Sequence, residues 1–180
     1  MESISQLKEF LWAQEDHGAF AIVNGEVVPG LPARLEEADV PGWDCLWRGA
    51  QEPDRAEAAP YVVALAPDST FTDWLLGEAT SVYPGWGLIG VGPVNLLGMR
   101  EHGRRLLKVE TPEGQAIEWT WFDPVLWSGL LSKLDEAQLL EAYGPLYDWV
   151  IPGVGTWQWL SWSETGVQVL DRAVAPVVRT

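Results

Sequence analysis

Two carboxylates and three tryptophans crowd the stretch EWTWFDPVLW, residues 118–127. Glycosidases work with a pair of carboxyl groups about 5–10 Å apart. Glu118 and Asp123, with the indoles of Trp119, Trp121 and Trp127 beside them, therefore suggest a small carboxylate-dependent hydrolase or a carbohydrate-binding protein. The same residues also have an architectural use. Asp123 precedes Pro124, so it can cap a helix whose first turn tolerates the missing N–H of proline. Trp119 and Trp121 stand two apart and share one face of a strand, which suits a core or a partner surface as well as a sugar platform.

Other constellations are weaker. GWGLIG, residues 85–90, fits the dinucleotide pattern G-x-G-x-x-G, and Glu110 lies at the distance of a ribose-binding acid. The motif must follow a buried strand and open a helix. Here it follows ATSVYP, a poor strand, and Pro93 would fall inside the helix. His17, His102 and Cys45 lie far apart, without the short spacing of metal ligands. Cys45 neighbours Asp44 and shares a strand face with Trp43 and Trp47, which indicates an inert thiol rather than a thiolate nucleophile. No cofactor or metal is expected. EHGRRLLK, residues 101–108, gathers His102, Arg104, Arg105 and Lys108. These cations suit the C-terminal end of a helix dipole, or form a positive patch for an acidic partner.

The elements that must position these residues read as alternating helices and strands. Ser3 and Gln6 form a capping box before Ile4, Leu7, Phe10 and Leu11. AFAIV reads as a buried strand ending at the Asn24-Gly25 turn, LPARLEEAD as a short helix, and WDCLW as a strand. YVVALA has the apolar run of a mid-sheet strand. STFTDWLLGEA reads as a helix capped by Ser69 or Thr70, and GWGLIGV as a strand. VNLLGMREHGRRL reads as a helix. LLKVET and AIEWTWF pair as a hairpin around Pro112–Gly114. Helices then start at Asp123-Pro124 and near Asp135, the second stopping at Gly144-Pro145. WQWLSW and VQVLD form a last hairpin. The expected fold is α/β (α+β): one domain with a mixed, partly antiparallel sheet and helices packed against it. Residues 1–152 make the main body, and 153–180 a hairpin extension packed on it.

The chain has 180 residues, 12 of them tryptophan, and a formal net charge of −15. That charge argues against nucleic acid and against anionic membrane surfaces. A single cysteine, no apolar run long enough to span a bilayer, and an N-terminus without a basic start and apolar core point to the cytoplasm.

In order, AFAIVNG, WDCLWRG, APYVVAL, WLLGEA, GWGLIGV, EHGRRLLKVETPEGQAIEWTWFDPVLW and LLSKLDEAQLLEAYGPLYDWVIP resemble the Tap/TEC adaptor chaperones of bacterial type VI secretion, long catalogued as a domain of unknown function. The resemblance runs from Phe20 to Pro152. His102, Arg104 and Arg105 match its His-x-Arg-basic step. Phe122, Asp123 and Pro124 match its aromatic-Asp-Pro step, and Tyr143, Gly144 and Pro145 its aromatic-Gly-Pro step. Gly103, Thr120 and Val125 depart from it, the last two standing where the family usually carries arginine. The resemblance implies a non-enzymatic bacterial protein that binds a toxic effector and helps load it onto a VgrG or PAAR spike protein. Exposed tryptophans would anchor such a partner. Trp119, Trp121, Trp127, Trp157, Trp159 and Trp162, with His102, Arg104 and Arg105, are the expected partner-binding residues. Asp123, Pro124, Gly144 and Pro145 are structural caps. The tryptophans of the last hairpin, Trp157 and Trp159 on one face and Trp162 on the other, are expected to contribute to partner choice.

Overall fold

Which way each side chain points across the central strands decides the architecture. The structure, a computed structural model, describes residues 1–175. Its elements are α1 (Ile4–Leu11), β1 (Gly18–Asn24), α2 (Leu31–Glu36), β2 (Gly42–Cys45), α3 (Pro53–Ala58) and β3 (Pro60–Ala64). Then come α4 (Thr70–Trp74), a π-helical turn (Leu75–Ala79), α5 (Thr80–Val82), β4 (Gly87–Gly92) and α6 (Leu96–Leu106). β5 (Lys108–Glu110), β6 (Ala116–Glu118), α7 (Pro124–Leu131), α8 (Glu136–Tyr143), β7 (Asp148–Ile151), β8 (Thr156–Ser163) and β9 (Gly166–Ala173) complete the described chain. Seven strands form one sheet in the order β2-β3-β1-β4-β7-β8-β9, and β5 and β6 form a separate hairpin. This is the α/β single-domain class that the sequence indicated. Every pairing between these strands is antiparallel. The parallel component is one bridge, Glu2 to Val174.

Ala19, Ala21 and Val23 of β1 face one core, where they meet Leu7 and Leu11 of α1, Leu31 and Leu35 of α2, and Phe71 of α4. Phe20 and Ile22 face the other, with Met99 of α6, Trp127 and Leu131 of α7, and Leu139 and Tyr143 of α8. An antiparallel sheet often leaves one face to solvent. Here both faces of the central strands β1, β3 and β4 are covered, which is why YVVAL reads as an unbroken apolar run. Each fully buried side chain of this size contributes about 1.5–3 kcal/mol. The last hairpin extends the same sheet: Trp157 and Trp159 enter the first core, while Leu160 enters the second and Trp162 packs against it. The alternation of indoles seen in the sequence is therefore real. Residues 176–180 of the expected extension lie outside the described residues.

Local chemistry sets the helix ends. Ser3 Oγ accepts from the Gln6 N–H, and Gln6 Oε1 accepts from the Ser3 N–H, at 3.3 and 2.8 Å. Asp135 and Gln138 repeat this box at α8. Asp123 Oδ1 accepts from the Leu126 N–H at 2.8 Å, with Pro124 as the first residue of α7. Asp123→Ala is expected to cost about 1 kcal/mol through the lost cap. Urea unfolding checks this, since an unchanged midpoint means that the carboxylate does not hold the helix start.

GWGLIG is not a phosphate loop. Its second half is strand β4, in the middle of the sheet. A Cβ on Gly92 would meet the Pro145 carbonyl oxygen at 2.6 Å and Leu146 Cα at 2.8 Å. Glycine here admits the turn after α8 onto the sheet. ATSVYP, read as a poor strand, continues a helix instead. The π turn precedes it, and the Thr80 hydroxyl donates to the Leu75 carbonyl while accepting from the Trp86 indole N–H, both at 3.0 Å.

Candidate functional site

The basic helix end, the aromatic-Asp-Pro step and the Gly-Pro stop converge in space. The last four carbonyls of a helix lack partners within it. Trp121 Nε1–H donates to the Gly103 carbonyl at 3.2 Å, and Trp119 Nε1–H donates to the Leu106 carbonyl at 2.6 Å. The two indoles of EWTW thus finish α6. AIEWTWF does not stay extended to its end, because β6 stops at Glu118.

At the end of α8 the Ala142 carbonyl accepts from His102 Nε2–H at 3.1 Å and from Trp149 Nε1–H at 3.2 Å. A carbonyl only accepts, so Nε2 of the neutral imidazole carries the proton. Gly144 closes α8 at φ 54°. A Cβ there would lie 2.5 Å from the His102 ring, so the imidazole fills the place of a side chain. Burial lowers the pKa of His102 to about 4, the Ala142 hydrogen bond opposes this, and the nearby Arg105 charge adds to it. Trp121, Trp127 and Trp149 pack edge to face with ring centroids 5.2–5.5 Å apart. The Tyr143 hydroxyl donates to the Leu160 carbonyl at 2.7 Å.

These contacts correct the expectation of exposed anchors. Trp121, Trp127, Trp157, Trp159 and His102 are buried inside the domain. Indoles cover large apolar areas, and here the carbonyl ends of α6 and α8 supply acceptors for several of their N–H groups. Removing Trp157 and Trp159 together would open the first core, so a variant lacking both would lose its fold along with any partner. Trp119 and Trp162 are half-buried and Arg105 is exposed. Arg104 is largely covered: its guanidinium donates to the Leu46 and Cys45 carbonyls at 3.1 and 2.8 Å, tying α6 to the end of β2 and the residue after it. Asp123, Pro124, Gly144 and Pro145 sit at helix ends as expected.

Asp123 is engaged as a cap, while Glu118 stands on the exposed hairpin opposite Lys108. With Trp121 and Trp127 inside the core, no aromatic platform forms from these two indoles. Burial pushes the Cys45 thiol up, away from thiolate. Among the described residues, no three His, Cys, Asp or Glu side chains are grouped to hold a metal ion. No described helix is long and apolar enough to cross a membrane.

The surface instead offers a groove. Two adjoining hollows of about 500 and 530 Å³ share Leu106, Lys108, Val109, Trp119 and Glu141. Leu130 and Leu134 extend the first, and Leu140 borders the second. Val109 pairs with Ile117 across the hairpin, and both are exposed, as is Leu140 at 56%. Trp127 is among the residues lining it, and its buried indole N–H has no acceptor among the described residues. Sequence reasoning missed this groove. The visible signals were Val109 and Ile117 facing each other across a short hairpin, and Leu140 beside Leu139, so that one of the two must leave the core face of α8.

A family model described as a domain of unknown function (DUF4123) matches residues 19–141. The chain belongs to the DUF4123 family. The DUF4123 match takes in β1 through most of α8, and with it His102, Arg104, Arg105 and the Asp123 cap, while the last hairpin falls outside it. No curated protein and no solved structure matches the chain.

Proposed function

We propose that this DUF4123 protein is a non-enzymatic adaptor chaperone. It holds a type VI secretion effector in the bacterial cytoplasm and helps load it onto a VgrG or PAAR spike. The observation that carries the reading is the apolar groove between α7, α8 and the β5–β6 hairpin, with exposed Val109 and Leu140 in its lining. Family membership and the three motif steps support it. A polypeptide seated there would bury apolar side chains against Leu106, Leu130 and Leu134.

The test is co-expression with the effector encoded beside this chain, followed by pull-down. Leu140→Glu places a charge on the exposed groove wall without touching the core. It is expected to lower effector recovery at least 10-fold while leaving the urea midpoint unchanged. Full recovery with Leu140→Glu would remove the groove from the effector interface. Failure of the unmodified chain to retain any neighbouring effector would remove the adaptor reading itself.

A further inference from the structure

On the other side of the hairpin base, a recess of about 220 Å³ is lined by Trp47, Arg48, Arg55, Arg104, Lys108 and Glu118, among others. The chain has only 11 lysines and arginines against 26 acidic residues. Four of those cations meet here, drawn from α3, α6, β5 and the segment after β2. We propose that this recess is a binding site for a cluster of two or three adjacent carboxylates on a partner polypeptide.

The cations are held in different ways. Arg104 is anchored by the Leu46 and Cys45 carbonyls, which are neutral, so its charge is only partly offset by Glu101 at 3.5 Å. Arg55 lies over the Trp47 ring at 4.7 Å, and its Nε donates to the Gln51 side chain, also neutral. Arg48 reaches Glu101 at 3.4 Å. Lys108 has no carboxylate within ion-pair distance among the described residues, although Glu118 is its cross-strand neighbour. Glu118 is the one carboxylate in the lining. The recess therefore carries an excess of positive charge, with the Arg55 and Arg104 side chains held by neutral partners, and carboxylate oxygens form charge-assisted hydrogen bonds to such cations.

The charge of the whole chain selects the occupant. A net charge of −15 repels a long polyanion such as nucleic acid. Screening limits the attraction of the recess to about 8 Å at physiological salt. A short acidic segment flanked by basic or neutral residues satisfies both conditions. Lys108 also lines the apolar groove, so one partner segment could place apolar residues there and its carboxylates in the recess.

The proposal takes from the adaptor reading that the partner is a polypeptide, but its test needs no effector. A labelled 12-residue peptide with three central glutamates flanked by lysines, of zero net charge, is titrated into the full chain by fluorescence anisotropy. Saturable binding is expected, at least 10-fold tighter than for the same peptide with three glutamines. Arg48→Ala with Arg55→Ala should weaken it at least 10-fold. Both side chains are exposed, and circular dichroism verifies the fold. Lys133→Ala, which removes one cation outside the recess lining and so matches the charge change of Lys108→Ala, should leave it unchanged. Lys108→Ala supplies a second recess variant. Equal affinity for both peptides, equal loss with Lys133→Ala, or no loss in either recess variant would overturn the proposal. Tighter binding of single-stranded DNA than of the peptide, or binding of inorganic phosphate without binding of the peptide, would overturn it as well. Retention of the effector alongside absent peptide binding would sink the recess and leave the adaptor reading standing.

Discussion

Trp149→Ala is expected to lose about 4 kcal/mol of unfolding free energy, the range of a large aromatic removed from a packed core. Trp149 lies on β7 and is fully buried. It touches Trp121 and Trp127 edge to face, with centroids 5.5 and 5.4 Å away, so its removal empties the centre of the second core. It also removes one of two donors to the Ala142 carbonyl, leaving His102 as the other. Rotating neighbouring indoles cannot fill the space, because Trp121 is fixed by its own hydrogen bond to Gly103. Against a typical stability of about 5–15 kcal/mol, such a loss takes the chain close to unfolding. Urea denaturation followed by far-UV circular dichroism measures it. A loss below 2 kcal/mol would mean that the three indoles do not form a common core.

The second large effect is set by acid. His102 is neutral in the fold with a pKa near 4, chiefly because burial penalises its charged form. In the unfolded chain its pKa is about 6.5. The unfolded state therefore binds a proton over pH 6.5 to 4 while the native state does not. The associated stability is complete above pH 6.5 and is lost as pH falls towards 4. For a shift of this size the loss is about 3 kcal/mol. Asp148 acts in the opposite direction: burial raises its pKa, with a Ser161 hydrogen bond and the His17 charge opposing, so acidification favours its native form. The His102 contribution is therefore read by comparison. His102→Gln keeps an N–H donor for the Ala142 carbonyl and removes the titration. Its urea midpoint, lower at pH 7 by a constant packing offset, is expected to change less between pH 7 and 4.5 than that of the unmodified chain. Parallel pH profiles for the two would show that the imidazole is not held neutral by the fold.

Asp39 shows how far local reading reaches. It lies in the LPARLEEAD segment, yet it accepts from the Ser69 hydroxyl at 2.8 Å and from the Thr70 and Phe71 N–H groups at 2.8 and 3.0 Å. These bonds hold its pKa well below the usual carboxylate range. A cap at Ser69 or Thr70 was legible, because a cap is a contact between near neighbours, and the structure places it at Ser69. Its support from Asp39, 30 residues away, was not. The indoles raise the same difficulty more sharply. Trp suits cores and interfaces alike, and nothing within EWTWFDPVLW says that α6 will end beside it with carbonyls to satisfy.

By itself, the sequence determined the helix caps at Ser3 and Asp123, a cap at Ser69 or Thr70, a helix start near Asp135, the stop at Gly144, the hairpins, the α/β class and the opposed faces of Trp157 and Trp162. Each depends on contacts a few residues apart or on the fixed periods of helix and strand. Only the tertiary structure decided that Trp121, Trp127, Trp157, Trp159 and His102 are interior, that a groove opens beside Trp119, and that Arg48, Arg55, Arg104 and Lys108 share one recess. Burial and charge density are set by segments distant in the chain that meet across the sheet, and no local pattern encodes which of them will meet.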